Sequence, residues 1–249
     1  MKTKLIMILA LSIVTVSCKD TLDNKYDLSN SSLTSNLNEK NLYRTQSIQV
    51  DPSTISIGDQ IWAKEDLNVT TFNNGDIIFE AKTENQWKDA GINKIACYRR
   101  LGNGTFVYNG YALNDSRGLL REGLSIPEKT DFQILINYLG GGDNNSGKAT
   151  QALTTYEWYV EYWDDELESL MDKVIKGNNS SGFGAVPGGF VYDHGGLDNH
   201  GACNFWWTNT KEDDSLQAVI PIGYCSQDIG LPYESLPLSY GFAIRGIKK

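Results

Sequence analysis

The chain of 249 residues has few histidines, the side chain that enzymes most often use for acid–base catalysis. It has two histidines, His194 and His200, and lacks CxxC, HExxH and G-x-S-x-G sequences. Without these motifs the sequence does not match a zinc protease, a zinc ribbon or a serine hydrolase of the α/β class. We therefore predict no catalytic residue, no metal site and no cofactor.

Basic residues are also scarce, with 22 Lys and Arg against 31 Asp and Glu and a net charge of −9. The longest basic runs are Arg99-Arg100 and the terminal Lys248-Lys249. A protein that binds nucleic acid needs a basic stripe to replace the counterions of the phosphates. The composition therefore argues against a nucleic-acid partner.

There is one long apolar run, from Leu5 to Val16, which follows Lys2 and Lys4. It is shorter than the roughly 20 residues of a spanning helix, so we interpret residues 1–17 as a signal peptide. TVSC, residues 15–18, resembles a bacterial lipobox, which implies a lipid on Cys18 and attachment to a membrane. The alternative is a plain secretory peptide. The following CKDTLD resembles the export signals of Bacteroidota surface lipoproteins, which implies the outer membrane and the cell surface.

The residues that follow Cys18 predict a flexible tether. Residues 19–46 are rich in Asn and Ser, lack Trp and Phe, and show no periodic apolar face. We therefore expect a lipidated cysteine and tether over residues 18–46 and one globular domain over residues 47–249.

Three cysteines remain in a compartment where disulfides form: Cys97, Cys203 and Cys225. One must stay unpaired, and the three pairings are all open. We favour Cys203 with Cys225 because they are closest in the chain and bracket two predicted strands.

Periodicity predicts a mixed α+β domain. ISIGDQIWA, residues 55–63, predicts a hairpin, and Thr83 with Gln86 has the spacing of a capping box. IACYRR and TFVYNGYAL predict strands on either side of the Asn103-Gly104 turn. Further strands are predicted around FVY, NFWW, LQAVIPIGY and YGFAIRGI.

Two helices are predicted by apolar residues at helical spacing. The first runs from Pro127 to Gly140, with a core face formed by Phe132, Leu135, Ile136 and Leu139. The second runs from Asp164 to Lys176, with a stripe formed by Leu167, Leu170, Met171, Val174 and Ile175. The preceding TTYEWYVEYW is compatible with either a strand or a helix.

Five stretches in order resemble the Fibrobacter succinogenes major paralogous domain: IGDQIWAKEDLNVTTFNNGD, IPEKTDFQILINYLGG, NSSGFGAVPGGF, FWWTNT and YGFAIRGIKK. The resemblance implies a C-type-lectin-like domain, similar to formylglycine-generating enzymes, with two main helices, short antiparallel strands and long Gly-rich loops. That family usually has cysteines where this chain has Leu120 and Gly246. The paired departure implies a disulfide that this member has lost as a unit.

SSGFGAVPGGF, residues 180–190, lacks the Lys and the following helix of a nucleotide-binding loop. We interpret its glycines at 182, 184, 188 and 189 as turn residues, with Phe183, Val186 and Phe190 in the core. Contact between its backbone and a ligand is the alternative.

The best binding candidate is YDHGGLDNHGACNFWW, residues 192–207. It combines aromatic rings with side chains that hydrogen-bond to hydroxyls, as sugar sites do. The alternative is that strand alternation turns at least one tryptophan into the core. The predicted ligand-binding residues are Asp193, His194, Asp198, Asn199, His200, Trp206 and Trp207.

Seven acids lie between Glu157 and Asp172 without a basic residue among them. On a helix, Asp165 and Glu168 would face the same way. A solvated helix face is the simplest interpretation; cation binding and a carboxylate pair for glycoside hydrolysis are the alternatives.

We therefore expect a surface lipoprotein with a non-catalytic domain that binds a glycan or an extracellular protein. The alternative is a structural or accessory subunit of a surface appendage. A glycoside hydrolase that uses the acidic segment is the third hypothesis.

Overall fold

The computed structural model describes residues 51–141, 148–164, 166–198, 203–223 and 234–249. The predicted signal peptide, Cys18 and the tether lie outside the described residues, as do Asn199, His200 and Cys225. In the part of the chain that the structure describes, every helix is too short or too polar to cross a bilayer.

The described chain contains helices and many short strands. The helices are α1 (Glu84–Ile92), α2 (Gly110–Leu113), α3 (Lys129–Tyr138) and α4 (Lys148–Leu153). The strands are β1 (Thr54–Ile57), β2 (Gln60–Ala63), β3 (Phe79–Glu80), β4 (Cys97–Arg100), β5 (Phe106–Asn109), β6 (Glu157–Asp164), β7 (Ser169–Lys176), β8 (Phe190–Val191), β9 (Leu197–Asp198), β10 (Cys203–Lys211), β11 (Leu216–Gly223), β12 (Glu234–Pro237) and β13 (Gly241–Phe242).

The strands form a six-stranded sheet in the order β3-β4-β5-β13-β8-β9 and a three-stranded sheet in the order β10-β11-β12. Two further sheets are the hairpins β1-β2 and β6-β7. The pair β3-β4 is parallel and the other strand pairs are antiparallel. The predicted mixed α+β class is confirmed.

The local turn and capping signals are confirmed. β1 and β2 pair across a tight turn at Gly58, which has a φ of 57°. The side chain of Thr83 accepts a hydrogen bond from the backbone N–H of Gln86, and the Gln86 side chain accepts from the N–H of Thr83, so α1 starts with the predicted capping box. On α3, Phe132, Leu135 and Ile136 are buried, as the helical spacing predicted.

The predicted helix over residues 164–176 is wrong. Residues 169–176 form β7, which pairs with β6 from Glu157↔Lys176 to Asp164↔Ser169. The turn includes Glu168 at a φ of 45°. The aromatic and β-branched residues of β6 favour a strand. A strand of that length needs a partner, and the following segment pairs with it, although the spacing of its apolar residues is also compatible with a helix. Asp165 lies outside the described residues.

Strand β10 separates two apolar cores. Trp206 contacts the first core, where it lies 5.9 Å from Phe132 and 5.7 Å from Phe183 between ring centroids. Trp207 contacts the second core, with its ring centroid 4.8 Å from that of Phe242. Both faces of β10 are therefore covered.

Candidate functional site

The burial of both tryptophans overturns their predicted contact with a ligand. Trp206 and Trp207 are each 0% exposed. Trp206 Nε1 donates to Asp66 Oδ1 at 2.7 Å, and Trp207 Nε1 donates to the carbonyl oxygen of Tyr108 at 2.8 Å. Alternation along a strand exposes one face only when that face has no cover, and β10 has a core on each side.

The other described residues that were predicted to bind a ligand, Asp193, His194 and Asp198, form a cluster around Tyr192. The rings of Tyr192 and His194 stack, with centroids 5.1 Å apart and an interplanar angle of 16°. The Tyr192 hydroxyl donates to Asp198 Oδ2 at 2.6 Å, and this hydrogen bond raises the pKa of Tyr192. Asp193 Oδ1 lies 3.2 Å from His194 Nδ1. We name Tyr192, Asp193, His194 and Asp198 the aromatic platform.

The platform is exposed at its outer residues and supported below. The side chains of His194 and Asp193 are 61% and 57% exposed. Beneath them, the Tyr192 ring contacts Phe190 with the two rings nearly perpendicular, at a centroid distance of 4.7 Å. Sequence reasoning missed Tyr192 as a site residue, although its place two positions before His194 was a signal for it.

A tight turn holds the platform between β8 and β9. The N–H of Gly195 donates to the carbonyl oxygen of Tyr192, and the N–H of Tyr192 donates to that of Gly196, both at 2.9 Å. Gly195 has a φ of 93°, and a Cβ atom there would collide with the backbone of Glu84. Its carbonyl oxygen accepts from Arg99 Nη1 at 2.7 Å. Glycine is therefore required at this position.

A buried ion pair joins Asp66, in the loop after β2, to Arg245, which follows β13. Arg245 Nε lies 2.7 Å from Asp66 Oδ1, and the Arg245 side chain is 1% exposed. Arg245 Nη1 also donates to the carbonyl oxygens of Ala63, Lys64 and Phe183. The Arg245 guanidinium lies over the Phe183 ring, 4.1 Å from its centroid. No local pattern in the sequence indicates this pair, because its residues are 179 positions apart.

The glycine-rich stretch has mainly the structural role that was predicted. Gly182, Gly184 and Gly189 have positive φ angles, and Phe183 and Phe190 are buried. Val186 is an exception, because it is only half-buried and lines a cleft instead of entering the core. Its neighbours Ala185 and Pro187 are buried, and successive side chains of an extended segment point to opposite sides, so Val186 faces the cleft.

Two clefts flank the segment 65–68, and both include Asp66 in their walls. The larger has a volume of about 450 Å³, with an apolar floor that includes Leu67, Phe72 and Leu120. At its rim, hydrogen bonds from Ser53, with a further contribution from Arg121, lower the pKa of Asp51 to about 2. The smaller cleft has a volume of about 260 Å³.

The cysteines agree in part with the prediction. Cys203 is disulfide-bonded, and its partner lies outside the described residues. Cys97 is a free, buried thiol, and burial raises its pKa to about 12. The pairing of Cys203 with Cys225 stays a prediction. Among the described residues, no group of three or more His, Cys, Asp and Glu side chains is arranged to hold a metal ion.

Comparison with known families identifies most of the chain. Residues 55–248 match the family described as the Fibrobacter succinogenes major domain. The chain belongs to this family. No curated protein and no solved structure matches the chain.

Within this Fibrobacter succinogenes major domain, the two positions predicted to have lost a disulfide are neighbours. A Cβ atom added to Gly246 would lie 3.5 Å from Cδ2 of Leu120. Leu120 precedes α3, and Gly246 lies in the last segment of the chain. The Leu120 side chain therefore borders Gly246; a bridge requires the two Cβ atoms themselves to lie about 3.5–4.5 Å apart.

Proposed function

We propose that this protein is a surface lipoprotein whose domain binds glycans without catalysis, through the aromatic platform. The observation that carries the proposal is the stack of exposed His194 on half-buried Tyr192, beside two carboxylates. The apolar face of a sugar ring stacks on aromatic rings, and its hydroxyls bond to Asp and His side chains. The platform offers both kinds of contact on one exposed surface.

The fold within the α+β class is part of the same proposal. We infer a C-type-lectin-like domain with α1 and α3 as its main helices. An antiparallel bridge between Trp62 and Ile247 supports this inference, because it brings the start and the end of the domain together. Gly-rich loops between short strands, such as residues 180–189, support it as well.

The placement of the carboxylates in the aromatic platform favours binding without catalysis. Asp193 and Asp198 flank an exposed aromatic surface, whereas glycoside hydrolysis uses two acids that face each other across a bond held in a cleft. The hairpin β6-β7 holds the acidic segment on strands and a turn, which removes the helix face on which a catalytic pair was considered.

The cellular setting of the proposal is based on the N-terminal sequence. A lipid on Cys18 would attach the chain to the outer membrane, and the 28 residues from Lys19 to Gln46 would hold the domain away from the lipid surface. An extracellular glycan is therefore the partner that the platform would meet, and nucleic acid is not.

A glycan array tests the proposal. The full chain is compared with the variants Tyr192→Ala and His194→Ala, and with Tyr138→Ala, which changes another exposed tyrosine. We expect binding to be weakened at least about fivefold in the first two variants and retained in the third, because stacking contributes roughly 1 kcal/mol or more. Binding that is equal in all four proteins would overturn the platform as the site.

An assembly role is the second candidate, and one observation favours it. Ile77 and Phe79, at the edge strand β3, are 82% and 42% exposed, and Ile92 and Ile95 nearby in the chain are 67% and 47% exposed. Exposed apolar residues at a sheet edge mark contacts between proteins. A protein partner would contact this edge and leave the platform free.

A further inference from the structure

The smaller cleft is formed where four separate segments of the chain meet. Its walls are the loop 65–68, the turn 103–106, the single residue Tyr156 and the glycine-rich residues 184–186, with Arg245 beneath them. The aromatic platform contributes no residue to it. The cleft is therefore a second concave surface, separate from the platform.

Asp66 lines this cleft as well as the larger one, and one of its carboxylate oxygens has little hydrogen bonding. Oδ1 accepts from Arg245 Nε and from Trp206 Nε1, each at 2.7 Å. Among the described residues, the one contact of Oδ2 is a long one of 3.5 Å, from Asn204 Nδ2. The Asp66 side chain is 14% exposed, so this oxygen has limited access to bulk water.

A second acceptor without a donor lies beside the cleft. Asn204 is 0% exposed, and its Oδ1 has no hydrogen-bond partner among the described residues. Its Nδ2 faces the Asp66 carboxylate, which fixes the orientation of the amide because the reverse would place two oxygens together.

Thr105 connects this buried oxygen to the lining of the cleft. The point where a Cβ atom of Gly188 would lie is 3.2 Å from Asn204 Oδ1 and 2.9 Å from Thr105 Oγ1, so both oxygens face the same small space. Thr105 lines the cleft, whereas Asn204 is fully buried and does not line it. Thr105 Oγ1 is therefore the oxygen of this pair that a molecule in the cleft can contact, and a hydroxyl oxygen can accept a hydrogen bond.

The charges around the smaller cleft indicate what kind of molecule would supply the hydrogen-bond donor. Arg245 already compensates Asp66, and Glu65, the other carboxylate of the lining, is exposed to water, so a further cation is not needed for charge balance. The rings of Phe106 and Tyr156 add apolar surface to the walls. A neutral molecule with several hydroxyls and an apolar ring face meets both requirements.

We propose that the smaller cleft binds a single sugar unit, whose hydroxyls donate to Asp66 Oδ2 and to Thr105 Oγ1. The site does not depend on the aromatic platform. Its volume of about 260 Å³ suits one ring, not an oligosaccharide.

Saturation-transfer NMR on the full chain tests this site with D-glucose, D-galactose, D-mannose and N-acetyl-D-glucosamine as probes. We expect transfer to at least one sugar. Val186→Trp fills the cleft and is expected to weaken binding at least about tenfold, whereas Val174→Trp, an exposed strand position, leaves it unchanged. Thr105→Val removes one hydroxyl and is expected to weaken binding at least about threefold, with Thr70→Val as its matched control.

Three results would overturn the site. The first is no transfer to any probe from folded protein, which would mean that the cleft holds only water. The second is transfer that persists in both Val186→Trp and Thr105→Val. The third is transfer lost only in His194→Ala, which would place the sugar on the platform and support the proposed function instead. If Val186→Trp does not fold, the comparison of Thr105→Val with Thr70→Val still tests the site.

Discussion

At the scale of single residues, Asp66 has the largest predicted effect on stability. Replacing it in Asp66→Asn leaves the buried Arg245 guanidinium without its counter-charge. Breaking a buried pair from one side costs about 3–5 kcal/mol of the free energy of unfolding. Denaturant unfolding of the variant and the parent chain measures this loss.

Two controls decide whether the charge pair is the cause. Asp89→Asn, at an exposed position of α1, should change the free energy of unfolding by less than about 0.5 kcal/mol. The double variant Asp66→Leu with Arg245→Met should recover part of the loss, because no uncompensated charge remains. A double variant less stable than Asp66→Asn would contradict this explanation.

The position of a single residue could be predicted only where the sequence signal for it lies in neighbouring residues. The exposure of His194 and Asp193 followed from a polar, glycine-rich turn. The burial of both Trp206 and Trp207 could not be predicted, because a strand that is covered on both faces does not alternate between apolar and polar residues. The pair of Asp66 and Arg245 depends on contacts across most of the chain, which no local window contains.

At the scale of elements, the contact between α1 and the large sheet depends on a glycine in β13. A Cβ atom on Gly241 would lie 2.5 Å from Cζ2 of Trp87, whose Nε1 donates to the carbonyl oxygen of Ser239 at 2.9 Å. We expect Gly241→Ala to lower the free energy of unfolding by about 1–3 kcal/mol, because the helix must move away from the sheet. Thermal and denaturant unfolding measure the change.

Gly102 provides the matched control for that substitution. An added Cβ atom there meets nothing within 4 Å, and its φ is not in the left-handed region. Gly102→Ala should change stability by less than about 0.5 kcal/mol. Equal effects at positions 102 and 241 would show that the contact with Trp87 does not set the cost.

Elements with explicit start signals or a single apolar face were predicted from sequence. The capping box of Thr83 and Gln86 identified α1, and the four apolar positions of α3 identified its buried face. The hairpin β6-β7 was not predicted beyond an ambiguity over β6, because the apolar residues of β7 also repeat at helical spacing. Pairing with a neighbouring strand, a tertiary effect, decided between the two structures.

At the scale of the whole molecule, Leu120, in the segment before α3, lies next to Gly246, in the last segment of the chain. The double variant Leu120→Cys with Gly246→Cys should form a disulfide, because the two positions are neighbours across the wall of the larger cleft. Closing so long a loop restricts the unfolded chain and should raise the free energy of unfolding by about 2–4 kcal/mol.

The reduced form of the same variant is the control, since it contains the same substitutions without the new bond. The native chain must be measured in both states as well, because Cys203 is itself disulfide-bonded. The gain attributed to the new bond is the oxidised-minus-reduced difference of the variant, less that of the native chain. A free thiol count showing that the bond does not form would mean that Leu124, 3.1 Å from the added Cβ, prevents the two sulfurs from meeting. If the bond forms without a gain in stability, native-state strain has cancelled the entropic term.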